Sequence, residues 1–414
     1  MEILTKTTSL FKQKTYRYFF IWQLISYVGG WMQGTALNWL VYRLTHSSLI
    51  LGAVVCASLV PSLLFSPISG ILTDRFKRKN VLIATQCLFL VHGTLLIILF
   101  FTNSINEWYI LGLSIFFGII NSFDIPTREA LIPLLVKEED SLNAISTSSI
   151  LGNAANILGP LIGGILITKY GEGICFILNV VLHVPFIIFL ILVGTRKQVI
   201  KEFTSPLIHM KEGFIFSWRN KPIKALLIFL GMFSFFGLSF IAFLPIFSDE
   251  ILHTGAKGLG LLTGASGLGA IVGGFYLATR PVVSIKRLVA YCGMIFSMCL
   301  LCFSISKSFI VSILLLLILG FTFMIVEVGT NTLLQAMSPD YIRGRVIGLF
   351  ITMIMGMFSL GTLVMGALGK YFPIQTVTAT GAFICLVSAI YFTIKVPSLI
   401  KELVALIDKK EAGT

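Results

Sequence analysis

Twelve stretches of this chain are each long and apolar enough to cross a hydrocarbon layer, which takes about 20 helical residues. They cover roughly 17–43, 48–73, 80–102, 107–127, 142–168, 174–195, 222–247, 257–279, 286–305, 308–332, 346–370 and 374–395. In lipid only helices and closed barrels satisfy every backbone N–H and C=O. These stretches far exceed the 9–11 residues of a barrel strand. The chain is therefore expected to be an all-α membrane protein with twelve transmembrane helices. Its composition agrees. Only 12% of the 414 residues are charged, about half the share in soluble globular chains.

The formal net charge of +13 would suit a nucleic-acid binder, but the positions of the charges argue for a membrane protein. With both termini in the cytoplasm, 26 of the 31 Lys and Arg fall on the inner side. Only Arg43, Lys169, Lys257, Lys307 and Lys370 remain outside. Inner loops of membrane proteins are rich in these residues. The expected place is the bacterial cytoplasmic (inner) membrane, crossed many times, with no nucleic-acid partner. The first stretch is too long for a signal peptide and is expected to be retained. The longest loop, 196–221, is basic and central. It divides the chain into six-helix halves, 1–195 and 222–414, and is expected to form an interfacial helix. The seven cysteines lie in or beside apolar runs. Even the pair Cys299 and Cys302 reads as packing, not as a metal or redox site.

The halves repeat weakly. Near the inner end of the fourth span, Asp124 is followed by Thr127, Leu131 and Pro133. Near the inner end of the tenth, Glu327 is followed by Thr330, Leu334 and Pro339. Parallel six-span repeats point to a transporter with its site between the halves.

The stretch GILTDRFKRK, Gly70–Lys79, resembles the loop between spans two and three of the major facilitator superfamily. Gly70, Leu72, Asp74, Arg75, Arg78 and Lys79 match the pattern, while Thr73 and Lys77 depart from it. The resemblance implies the major facilitator fold of two six-helix bundles. The stretches SYVGGWMQGTALNWLVYRLTHSS, PTREALIPLLVKEEDSLNAISTSS, ILGPLIGG and NTLLQAMSPDYIRGRV are similar to a branch holding enterobactin-type siderophore exporters and macrolide efflux proteins. That likeness implies export of a small molecule driven by the proton gradient, without a cofactor. In span five, Gly159, Pro160, Gly163 and Gly164 match an antiporter motif, with Ala155 in place of its first glycine.

Candidate site residues follow. Asp74 is not needed for orientation. It is expected to join Gly70, Arg75 and Arg78 in a cytoplasmic latch together with Asp124. Ionisable groups in a span are costly and usually functional. Asp124 is read first as the partner of an arginine, with proton carrier as the second role. Glu327 is expected to pair with Arg343 or Arg345, again with proton carrier second. Gln33, Asn38, Asn121, Asn153 and Asn156 are polar at lipid depth. With Trp31, and His92 or His183, they are expected to line the substrate cavity. For each histidine a helix–helix hydrogen bond is the competing role. Some proton-driven exporters of the superfamily carry an acid in span one or an arginine midway along span four. This chain has neither, so Asp249 and Glu250 at the outer end of span seven are further candidates for sensing protons.

The glycines of GLGLLTGASGLGAIVGG lack the strand and acid that a phosphate loop needs, and no Walker-type loop occurs. Five dispersed histidines offer no catalytic or metal-binding cluster, so an enzyme is not expected. An importer or lipid-moving transporter of the same fold is the alternative, and a membrane-embedded scaffold is a poorer one. The protein is expected to work as a monomer with a small-molecule substrate in a lipid bilayer.

Overall fold

The computed structural model describes residues 13–194 and 206–411. In chain order, α1 is Lys14–Thr45, α2 Ser48–Arg75, α3 Arg78–Phe101 and α4 Glu107–Leu131. They are followed by α5 Ser141–Tyr170, α6 Gly173–Leu192 and α7 Pro206–Arg219. The next rod, α8, runs over Lys221–Ile251. Then come α9 Gly255–Ala278, α10 Val282–Ile305, α11 Phe309–Met337, α12 Asp340–Leu368 and α13 Ile374–Glu411. Apart from α7, these are the twelve long helices expected from the sequence, and no strand occurs among the described residues.

Eleven of the twelve carry an apolar window able to cross a membrane; α1 is the exception. The reason lies in its residues. Gln23, Ser26, Gln33 and Thr35 are all buried along α1, so its polarity is turned inward.

The helix ends follow from local chemistry. His46 takes a left-handed φ of 43° and closes α1 with its N–H on the Tyr42 carbonyl. Asn106 caps α4 by accepting from the Tyr109 N–H at 3.0 Å. Asn220 caps α8, with Pro222 in the first turn, where a missing N–H costs nothing. The helix α8 is irregular inside. Its α-helical start gives way to a π turn at Phe233–Gly237, a 3-10 stretch at Leu238–Phe243 and a second π turn at Phe247–Ile251.

By packing, the chain divides into two compact units. One holds Met1–His46, Ala57–Thr204 and Thr254–Gly264, and the other Ser47–Cys56, Ser205–His253 and Ala265–Thr414. In the first unit an apolar core closes one end of the helices around Phe19, Leu82, Leu131, Phe186 and Leu190. The second is built on phenylalanines. Phe233 meets Phe296 at 4.5 Å, and Phe247 meets Phe303 at 4.7 Å between ring centroids. Such pairs add about 0.5–1.5 kcal/mol beyond the area they bury.

The loop at 196–221 lies partly outside the described residues. From Pro206 it is helical, as α7. Along α7, Phe214 stacks on Trp218 at 4.8 Å and Lys224 lies 5.0 Å over the Trp218 ring. An ion pair from Glu212 to Arg345 fixes α7 to the start of α12.

Candidate functional site

The first unit contains a buried ion pair. Asp124 and Arg128 stand one turn apart on α4 and meet at 2.9 Å, with side chains 4% and 3% exposed. One Asp124 oxygen accepts from the Thr85 hydroxyl at 2.8 Å and from the Gln86 amide at 2.6 Å, both on α3. The other accepts from Arg128 Nε at 3.1 Å and Nη2 at 2.9 Å. The guanidinium lies between the rings of Tyr27, at 4.7 Å, and Phe186, at 4.9 Å. The carboxylate thus has four donors, and the cation has a carboxylate and two π faces. A buried pair is tolerated on those terms.

Asp124 is an arginine's partner, and the arginine is Arg128. The i, i+4 spacing in DIPTR carries that signal. Arg78, at the start of α3, donates from Nη1 to the Ala130 carbonyl at 2.9 Å. Lys79 donates to the carbonyls of Ile191 at 2.9 Å and Val193 at 2.6 Å. These two bases therefore serve the carbonyl ends of α4 and α6, where a helix dipole favours cations. The helix α2 runs through Gly70, Asp74 and Arg75. Their side chains lie outside the described residues.

Glu327 differs from its expected pairing. Arg343 binds Asp340 on its own helix and donates to the Gln335 carbonyl at 3.2 Å. Arg345 binds Glu212. Both arginines are spent on these partners near the start of α12. The turn that presents Glu327 is otherwise like that of Asp124: Thr127 and Thr330 are fully buried, as are Leu131 and Leu334. Four residues past Glu327, however, stands Asn331, which accepts from Gln335 at 3.1 Å.

A second polar group fills the interior between α1, α3 and α6. The Asn179 amide donates to Gln33 at 2.6 Å, and Gln33 approaches His92 at 3.5 Å. His183 meets Ser26 at 3.3 Å and the Asn179 carbonyl at 2.8 Å. Rings of Phe89 and Phe117 cover the two imidazoles. Gln33, His92 and His183 are therefore helix–helix contacts packed inside the first unit. Asn179, the hub of this group, escaped sequence reasoning although it is polar at lipid depth in the same way as Asn121.

The other candidates behave differently. Asn153 and Trp31 are exposed, while Asn38, Asn121 and Asn156 are partly buried. None of these asparagine side chains takes part in the hydrogen bonds found among the described residues, so their amides remain available to a ligand or water. Asn153 lies eleven residues before Gly164, which puts the two within about 20° on one face of α5.

The small residues of span five make two contacts within the first unit. Gly159 and Gly163 lie against α1. A Cβ on Gly159 would stand 3.0 Å from Met32 N and from the Val28 carbonyl. Gly164 faces the first turns of α9, where a Cβ would stand 2.8 Å from the Ala256 carbonyl. Gly260 answers it, approaching the Pro160 carbonyl. Backbone contact at this range needs glycine on both helices. Asp249 and Glu250 lie in the second π turn of α8.

Comparison with known proteins adds to this geometry. A model of the transmembrane secretion effector family matches residues 5–409. The Staphyloferrin A transporter of Staphylococcus aureus is 24% identical over 396 residues, covering 91% of this chain and 95% of its own. Macrolide efflux protein A of Streptococcus pyogenes is 23% identical over 274 residues, 63% and 66% of the two chains. Among solved structures, a mutant form of the nucleoside transporter NupG superposes with a TM-score of 0.75 at 13% identity. The match covers 92% of this chain and 99% of that one, and it speaks for the fold alone.

Proposed function

The chain belongs to the transmembrane secretion effector family of major facilitator transporters, and from that premise we propose that it exports a small molecule from the cytoplasm in exchange for protons. The observation that carries this reading is the nearly end-to-end likeness to a siderophore transporter, joined by partial likeness to macrolide efflux proteins. The substrate class is accordingly a secreted polar chelator or a lipophilic drug.

Under this proposal both termini face the cytoplasm, in keeping with the Lys and Arg asymmetry. The amides of Asn38, Asn121, Asn153 and Asn156 line the substrate path. Unpaired amides accept and donate to a polar chelator without fixing a charge. Asp74, at the cytoplasmic end of α2, works with Arg78 as a latch of the inward-closed state.

The test compares a deletion strain with its parent. Culture supernatants from iron-poor medium are assayed for iron-chelating metabolites, and cells are scored for macrolide sensitivity. Loss of a chelator assigns the siderophore class, and new macrolide sensitivity assigns the drug class. Export from everted vesicles is expected to stop with a protonophore and to continue without ATP. Transport that survives collapse of both pH and potential gradients would refute the exchange.

A further inference from the structure

The two halves of this chain carry matching carboxylates, and the structure treats them differently. Asp124 has an arginine one turn later on its own helix and two further donors on α3. Glu327 has neither. It takes part in none of the ion pairs or side-chain hydrogen bonds among the described residues. It is partly buried and stands ten residues before the inner end of α11 at Met337. That is about 15 Å of helix, well within a hydrocarbon layer about 30 Å thick.

Among the described residues, no helix packed around α11 joins a charged group to Glu327. On α9, Tyr276 packs against Phe321 at 5.7 Å, and Arg280, just beyond its end, lies 4.4 Å over the Tyr276 ring. On α10, Ile285 and Val289 face Gly329. Lys286 and Cys292 are buried on α10, while Arg287 and Tyr291 are exposed; none of the four is joined to Glu327. On α8, Lys224 covers the Trp218 ring. On α12, Arg343 and Arg345 hold Asp340 and Glu212. On α13, Cys385 approaches the Met232 carbonyl at 3.6 Å.

An ionised carboxylate at this depth without a cation is strongly disfavoured, and the group relieves the cost by holding a proton. Building on the proton-exchange reading above, we propose that Glu327 is the proton-binding carboxylate of this transporter, and that Asp124 is its charge-paired, structural counterpart. In outward-open protein the Glu327 oxygen takes a proton from external water. In inward-open protein it returns that proton to the cytoplasm, and no covalent bond changes otherwise. Asp124 cannot take this part while Arg128 occupies it. The duplicated turn thus keeps one acid fixed in charge and leaves the other to change.

The full-length protein in liposomes is stepped between mildly acidic and alkaline pH, and infrared difference spectra are recorded. Wild type is expected to show a protonated-carboxyl C=O band that disappears on alkalinisation. Glu327→Gln should lose that band entirely, and Glu327→Asp should move it. A band unchanged in folded Glu327→Gln overturns the proposal. Should Glu327→Gln fail to fold, an unmoved band in Glu327→Asp overturns it equally. A spectrum without any such band in wild type overturns it as well. No transported compound is needed, so a failed export assay bears on the export reading and leaves this result standing.

Discussion

Arg78 at the start of α3 reaches the carbonyl of Ala130 at the end of α4, across 2.9 Å. The two lie 52 residues apart and tie the basic loop to the turn below the buried Asp124–Arg128 pair. Removing the guanidinium leaves a helix end uncapped. Arg78→Ala is expected to cost about 1 kcal/mol, as for a modest hydrogen bond to a partly exposed charge. Fluorescence-monitored thermal unfolding in detergent measures it. The latch role adds a separate demand. Asp74→Asn and Arg78→Ala should each slow export at equal expression, and unchanged rates would remove the latch.

The Asp124–Arg128 pair makes a sharper prediction. Asp124→Asn leaves a buried guanidinium without its carboxylate, with an expected loss of about 3–5 kcal/mol. Replacing both, as Asp124→Leu with Arg128→Met, should recover much of that loss. Two equally damaging variants with no recovery in the double would show that the pair is not the source of the effect.

Gln33 and Asn153 are both polar residues of the first unit, yet they should fail in opposite ways. Gln33→Leu strands the Asn179 amide and should cost about 1–3 kcal/mol of stability. It should leave the range of exported compounds unchanged. Asn153→Ala should leave thermal stability alone and alter transport. A substrate range that follows Gln33 instead would return it to the cavity.

Close backbone approach predicts which glycines tolerate a methyl group. On α11, a Cβ at Gly320 would collide with the Ser266 carbonyl of α9. Gly320→Ala is expected to cost about 1–3 kcal/mol by overpacking. Gly30 on α1 has nothing within 4 Å of such a Cβ. Gly30→Ala should therefore be neutral or slightly stabilising. Unfolding temperatures of the two variants against wild type decide it.

The Glu212–Arg345 pair is half-exposed, with side chains 49% and 27% accessible. Glu212→Gln should cost no more than about 1 kcal/mol, and the difference should fade in high salt. A larger, salt-independent loss would mean that α7 is held by this contact alone.

The helices were legible because the hydrocarbon layer demands length and apolarity, and nearly every span shows both. The exception, α1, still read as a span because its polar residues are scattered through an apolar run. The site was legible only in part. Asp124 and Glu327 announced themselves as charges at lipid depth. Asp124 reads as an arginine's partner and pairs with Arg128, whereas the arginines of RGRV look available to Glu327 in a linear chain and are not. In three dimensions Arg343 and Arg345 are satisfied by Asp340 and Glu212, and Arg78 serves a helix end. The role of Asn179 depends on α1 and α6 meeting side by side, 146 residues apart, which no local pattern encodes.

The inward polarity of α1 bears on how the protein is made. Its Tyr16, Gln23, Ser26 and Gln33 find partners on α3, α5 and α6, all synthesised later. Alone in the bilayer, α1 would expose those groups to lipid. The nascent first helix is therefore expected to stay sheltered, by the insertion machinery or at the membrane surface, until α6 has emerged. Truncation before α6 should leave α1 accessible to water-soluble thiol reagents at an engineered cysteine, and completion of α6 should close that window.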